Sequence, residues 1–428
     1  MKYAFFLLIS ATVAFGAEHK LILRFDQSVD ITATLSGYDV TRLKQMQGCN
    51  TYRVKITSSL SRTNLLAELY AKAAMNSIEE NQSSAVMELE SESVIDTRTL
   101  NLLDARAMFI TDGYSDDVSS SEFSEIDARA MFITDGTPSD PSPLYYQYHV
   151  YDTRTHLTWP HTTGVGVVVA VIDTGVDIHH EFLVDNIVDG YDFVDDDFDP
   201  SETSYGVDTN DNGLMDEGFG HGTHVAGILK TLAPGVSIMP IRVADSDGQA
   251  ELFDIAAGIR FAVEHGAHVI NMSMSIHEPS ALLLEALTFA TDSNVLVVTS
   301  AGNDNAHALS FPADVGEVVT VTSVGPDKTK SAFANYHRRV DVSAPGERIA
   351  SCHPGDLYVT RSGTSMAAPM VAAEAAIILQ LVPGSSISYV TGRIKNWSLG
   401  IDWLNPDYKN KIGKGLGDSW NAITVQNL

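Results

Sequence analysis

Cysteine is almost absent from this sequence: Cys49 and Cys352 are the only two in 428 residues. Two thiols cannot build a disulfide framework, so the fold must rest on its apolar core. The two lie in different parts of the chain and are expected to be unpaired, which is compatible with a bacterial periplasmic or secreted protein. Basic residues are also scarce. Lys and Arg together number 27 against 55 Asp and Glu, a formal net charge of −28. Such a surface repels phosphate, which excludes nucleic acid as a partner. Beyond the N-terminal region no stretch of 18 residues lacks charge or turn residues, so no membrane span is expected. "MAAPMVAAEAAIILQLV" comes closest, but Pro369 and Glu374 mark it as a buried helix.

What is present is enough for a globular fold. Hydrophobic residues make up 44 % of the chain, and its length suits two or three domains. The first 16 residues read as a secretory signal peptide: Lys2, an apolar run from Ala4 to Phe15, and a small-x-small cleavage site at Ala14-Phe15-Gly16. Residues 17–90 read as a small α/β unit, with "KLILRF" and "TYRVKI" as strands and "RTNLLAELYAKAAMN" as an amphipathic helix. Residues 91–140 are Ser- and Asp-rich, as a linker is. They hold "DARAMFITDG" twice, at 104–113 and 127–136. The repeat is either a duplication in a tolerant loop, or a groove-filling strand or processing site at Arg106 or Arg129. From about Pro141, apolar strands ("GVVVAVID", "SIMPIRV", "HVINMSM", "NVLVVTSAG") alternate with helical stretches. That alternation predicts a largely parallel sheet with helices on both faces, and functional groups at the carboxyl ends of its strands.

Four such ends carry polar residues. Asp173 closes "VVVAVID", His221 opens a helix in "GFGHGTHVAG", Asn303 follows "VVTSAG", and Ser365 sits in "RSGTSMAAPM". Taken singly, each has an ordinary reading: turn residue, structural histidine, N-cap. Together they supply acyl transfer with a nucleophile (Ser365), a general base (His221), a group to orient and stabilise that base (Asp173), and an oxyanion donor (Asn303). His221 and His224 raise the question of a metal pair. Zinc proteases of the HExxH type need histidines four apart with a glutamate between, and neither condition holds.

These motifs, with "INMSMS" and "APG" at 344–346, resemble in order and type those of the subtilisin-like serine proteases, the subtilases. The resemblance covers roughly 141–428. It implies a subtilisin-like three-layer α/β fold, and a secreted serine endopeptidase using Asp173, His221 and Ser365, with Asn303 and the Ser365 N–H in the oxyanion hole. His224 is then structural. Gly220 and Gly222 let the backbone pass close to a neighbour, and Gly363-Thr364 make a tight turn before the nucleophile.

By the same resemblance, residues 17–90 are an inhibitory, ferredoxin-like prodomain, with final cuts within 91–140. Substrate lies beside Ser273, Met274 and Ser275, opposite Ser300, Ala301 and Gly302. Ser275 and Ser310 stand where the family has glycine, which predicts a pocket for an uncharged P1 residue of moderate size. Met370 and Ala373 are further departures, expected to affect packing.

Residues 185–217 carry twelve acidic groups and no Lys or Arg. Asp208, Asn210 and Asn212 before Gly213 match the first half of an EF-hand loop, with Asp216 or Glu217 to close it. A structural calcium is therefore expected here, with Asp195, Asp197 and Asp199 as a weaker second group. The expected partners are protein or peptide substrates and the chain's own prodomain, acting on a monomer. A catalytically inactive, calcium-stabilised binding module is the alternative. An α/β-hydrolase esterase is contradicted by "GTSMA" and by the chain order Asp, His, Ser.

Overall fold

The computed structural model describes residues 17–25, 31–58, 60, 64–65, 68–69, 75–80, 83–86, 91–95, 143–209, 211, 213–276 and 279–424. The signal segment, both copies of the repeat, Asn210 and Asn212 lie outside them. The chain divides into two units, residues 1–82 and 83–428.

In the first unit, strands β1 (Ala17–Phe25), β2 (Asp39–Gln45), β3 (Thr51–Ser58) and β4 (Met75–Glu80) pair in the order β2-β3-β1-β4. The described pairings are antiparallel. A short helix, α1 (Ile31–Thr34), links β1 to β2. This is the strand order of a ferredoxin-like unit. Its core joins Leu21, Leu23, Val54 and Ile56 from the central strands to Leu65 and Leu69. Cys49 is free in this unit and Cys352 is free and buried in the second.

The second unit is built on seven strands: β7 (Val168–Asp173), β8 (Tyr191–Asp192), β9 (Ser237–Arg242), β11 (Val269–Met272), β13 (Leu296–Ser300), β14 (Val319–Val324) and β15 (Val342–Pro345). Their order is β15-β14-β13-β11-β7-β9-β8, and every pairing is parallel. The strands are near-continuous apolar runs because both faces are covered. Alternate side chains of one strand serve opposite faces. Val169 and Val171 join a core with helix α3 (His221–Leu232) and helix α6 (Thr364–Leu381). Ile172 and Ile241 instead lie under Gly258 of helix α4 (Leu252–Glu264), which packs beside helix α5 (Ala281–Asp292). Helix α2 (Tyr148–Asp152) precedes β7, and α7 (Ile387–Trp397) and α8 (Ser419–Thr424) follow α6. Helix α6 is apolar enough to cross a membrane, but 89 % of it is buried inside the fold. It is the central helix of the core, as Pro369 and Glu374 indicated.

Two small sheets flank the strand ends. In one, β5 (Ser83–Val86) is the middle strand between β10 (Ala250–Glu251) and β12 (Ser275–Ile276), antiparallel to both. In the other, β6 (Ser91–Ile95) pairs with β17 (Leu357–Ser362), which in turn pairs with β16 (Ile349–His353). The linker texture read from residue 91 therefore begins with an ordered strand. Serine and acidic residues do not prevent pairing when a neighbouring strand offers its edge.

Candidate active site

Asp173 is the last residue of β7 and His221 the first of α3. Gly222 allows this meeting. A Cβ there would lie 2.0 Å from the Gly175 carbonyl and 3.0 Å from Asp173 Cβ, so only glycine lets α3 come this close. Gly220, at φ +83°, precedes it in a left-handed conformation. His221 Nδ1 and Asp173 Oδ1 are 2.7 Å apart, and both side chains are fully buried. A carboxylate can only accept, so Nδ1 carries the proton and Nε2 is the basic nitrogen. Nε2 has no hydrogen-bond partner among the described residues. Asp173 Oδ1 also accepts from the Thr174 N–H at 2.8 Å.

Ser365 is the second residue of α6, after an extended Gly363 (φ 161°) rather than a left-handed turn. The Met366 N–H bonds the Gly363 carbonyl at 3.1 Å, closing the first helical turn. Ser365 is tied to the end of β11: its hydroxyl donates to the Ser273 carbonyl at 3.3 Å, and the Ser273 hydroxyl donates to the Ser365 carbonyl at 2.9 Å. Rotation about χ1 is what turns the Ser365 hydroxyl from Ser273 to another acceptor. Asn303 Oδ1 accepts from both the N–H and the hydroxyl of Thr364, each at 2.9 Å. This fixes the amide, with Nδ2 turned away from Thr364.

The remaining expected residues fall on the same strand ends. Met274 and Ala301 are buried, and Ser275 is partly exposed where it pairs with Val86. Ser300 ends β13. Gly302 has φ +99°, and a Cβ there would meet Asn335 Nδ2 at 2.5 Å. Asn335 pins this wall, accepting from the Asp304 and Ala306 N–H groups and donating to the Ala301 carbonyl. The sequence gives no signal for Asn335, because its role depends on contacts with loops some thirty residues away. His224 is buried, with Nε2 3.0 Å from the Ile349 carbonyl and 3.3 Å from that of Val359. Burial holds its pKa well below the usual value, so it is a neutral packing residue. Met370 and Ala373 are buried in the core beside α3.

The acidic stretch is organised in part by a cation from outside it. Arg242, at the end of β9, pairs with Asp192 and, at 2.8 Å, with Asp195. Asp216 accepts from Ser204 at 2.7 Å and from the Tyr205 and Gly206 N–H groups, and Asp208 accepts from the Gly213 N–H at 2.7 Å. No three His, Cys, Asp or Glu side chains converge as a metal cluster among the described residues.

A buried aspartate–histidine pair, a serine on the N-terminal turn of a helix, and a parallel sheet that brings them to one edge are the constitution of a serine-type endopeptidase. The chain belongs to the Peptidase S8, or subtilase, family: the sequence model of that family matches residues 164–409. Subtilisin BL of Lederbergia lenta is 34 % identical over 252 residues, 57 % of this chain and 87 % of that protein. Thermitase of Thermoactinomyces vulgaris is 34 % identical over 268 residues, 60 % of this chain and 90 % of its own. A solved protease of Pseudoalteromonas arctica shares 30 % identity and superposes with a TM-score of 0.59, covering 65 % of this chain and 96 % of that one. Fervidolysin of Fervidobacterium pennivorans is similar in fold, with a TM-score of 0.70 at 22 % identity over 97 % of this chain and 62 % of its own.

Proposed function

We propose that this endopeptidase works through Ser365, His221 and Asp173, and that it is made as an exported, self-processing zymogen. The observation that carries the reading is the 2.7 Å His221–Asp173 contact on the same edge as a serine held beside Asn303 and Ser273. In the reaction, Ser365 Oγ attacks the peptide carbonyl while its proton passes to His221 Nε2. Asp173 stabilises the imidazolium so formed. Asn303 Nδ2 and the Ser365 N–H stabilise the oxyanion. His221 then gives its proton to the leaving amine, and water, deprotonated by the same nitrogen, cleaves the acyl-enzyme.

The zymogen reading is supported by β5. It fills the position between β10 and β12 that an extended substrate would take as an added strand. Export is supported by the short apolar N-terminal segment. The test is to express the full chain beside its Ser365→Ala variant. The parent shortens itself and hydrolyses casein, and the variant does neither. A variant that matures equally well in a protease-free host would overturn self-processing.

A calcium ion in the loop of residues 208–217 belongs to the same proposal as a structural element. The described carboxylates do not form a cage alone, so the reading needs Asn210 and Asn212 beside Asp208. Chelation by EDTA lowers the melting temperature if the ion is bound, and an unchanged melting temperature removes it.

A further inference from the structure

One carboxyl group outside the expected triad touches both segments that carry the aspartate and the histidine. Glu202, partly buried, accepts from the Thr174 hydroxyl and from the Gly220 N–H at 3.0 Å through Oε1. Through Oε2 it accepts from the Thr223 hydroxyl. Thr174 follows Asp173, Gly220 precedes His221, and Thr223 lies two residues beyond it.

The protons can be assigned by counting. Each threonine hydroxyl already receives a backbone N–H, Thr174 from Gly222 at 3.0 Å and Thr223 from Asp177 at 2.8 Å. Each therefore has one proton to give. Thr223 gives it to Glu202. Thr174 has two acceptors in reach, Glu202 Oε1 and, at 3.3 Å, Asp173 Oδ1. An ionised Glu202 takes the Thr174 proton and leaves Asp173 Oδ1 its full basicity toward His221. A protonated Glu202 gives a proton instead, and the Thr174 hydroxyl turns to Asp173 Oδ1. That third donor, added to His221 Nδ1 and the Thr174 N–H, weakens the hold of Asp173 on the imidazolium.

We propose that Glu202 is a positioning residue for the catalytic pair: it clamps the Asp173 and His221 segments together and, through the Thr174 hydroxyl, sets how strongly Asp173 supports a protonated His221. The inference rests on the Asp173–His221–Ser365 reading above. Burial, opposed by the Thr174 and Thr223 hydrogen bonds, pushes the Glu202 carboxyl up to about 7, so it changes charge where a histidine base also works. The charged and titratable groups around it are Asp173 of β7, His221 of α3, Arg361 of β17, and Arg242 of β9, whose stem meets Gly175 beside Glu202. His353 closes the other side of Gly220.

The test compares Glu202→Gln and Glu202→Asp with the parent. Glutamine keeps the shape, removes the charge and can give an N–H to Thr174. Both effects leave a protonated His221 less well supported by Asp173. The acid limb of kcat/KM then moves to lower pH by on the order of one unit. With it kcat falls about tenfold or more and KM stays. Aspartate keeps the charge, and its acid limb stays within a few tenths of a unit. The same shift is read without turnover or maturation by NMR titration of His221 in the full-length Ser365→Ala background. An unmoved His221 titration in Glu202→Gln, or a loss of melting temperature alone, overturns the proposal. Activity that survives Ser365→Ala would instead defeat the triad reading, so the two failures are distinct.

Discussion

Asp173 Oδ1 accepts the His221 Nδ1 proton at 2.7 Å although the two residues are 48 apart in the chain. The contact decides which imidazole tautomer exists. Asp173→Asn can turn an N–H toward Nδ1 and select the opposite tautomer, with the proton on Nε2. A peptidase assay should show kcat reduced about 10⁴-fold with KM little changed. A loss below tenfold would mean that this pair does not run the reaction. On the proposed role of Asn303 as an oxyanion donor, Asn303→Leu should cost roughly 10²–10³ in kcat.

Helix α3 carries His221 into the site only because Gly222 is small. In Gly222→Ala the new Cβ meets the Gly175 carbonyl at 2.0 Å, so α3 must withdraw and take His221 with it. We expect about 1–3 kcal/mol lower stability by denaturant titration, together with loss of most of the activity. Gly316, where an added Cβ meets nothing within 4 Å, is the control, and its alanine variant should stay within about 0.5 kcal/mol of the parent.

On the self-processing reading proposed above, the strand registers bracket the first cut. Val86 pairs with Ser275, two residues past Ser273, and Ser91 pairs with Ser362, three residues before Ser365. Residues 87–90 are the only ones between these two registers in the chain. N-terminal sequencing of the first matured product should find a start between Glu88 and Ser91. The final cut or cuts expected in 91–140 follow it. A first start inside or beyond the DARAMFITDG repeats would show that β5 and β6 do not mark the reactive register.

Glu374 is buried in α6, and burial raises its carboxyl from the ordinary value to about 8, with Asp418 adding to the rise. The folded chain thus holds a proton that the unfolded chain has lost above the ordinary carboxyl range. This contribution is fully present at acid pH and is lost as pH rises through about 8. Glu374→Gln keeps the shape without the titration. Its melting temperature should exceed that of the parent increasingly between pH 5 and 8, by a gain on the order of 2–4 kcal/mol. A constant offset across that range would show that Glu374 titrates as an exposed carboxyl.

Much of this was legible locally. Apolar runs bounded by turn residues marked β7, β9, β11 and β13, because strands buried on both faces must be apolar throughout. Ser280 caps helix α5, its side chain accepting from the Leu283 N–H. The motif residues Asp173, His221, Asn303 and Ser365 were legible for a similar reason: each lies at or within three residues of the end of a regular element and belongs to a short, ordered string of neighbours. Glu202, Asn335 and Arg242 were not. Glu202 looks like one more solvated acid in a run of twelve, and Arg242 like the end of a strand. Only their partners distinguish them, and those partners are distant in sequence.

Periodicity and motif order are properties of neighbours, so they marked most strands and helices of the second unit and the residue types available for chemistry, but not the strand formed by Ser91–Ile95. The tertiary structure decided what those residues touch. It put an arginine from β9 among the acids, a glutamate against Thr174 and Thr223, and β5 between β10 and β12. Such contacts arise when a parallel sheet gathers its strand ends at one edge, and no local pattern encodes which distant side chains will be waiting there.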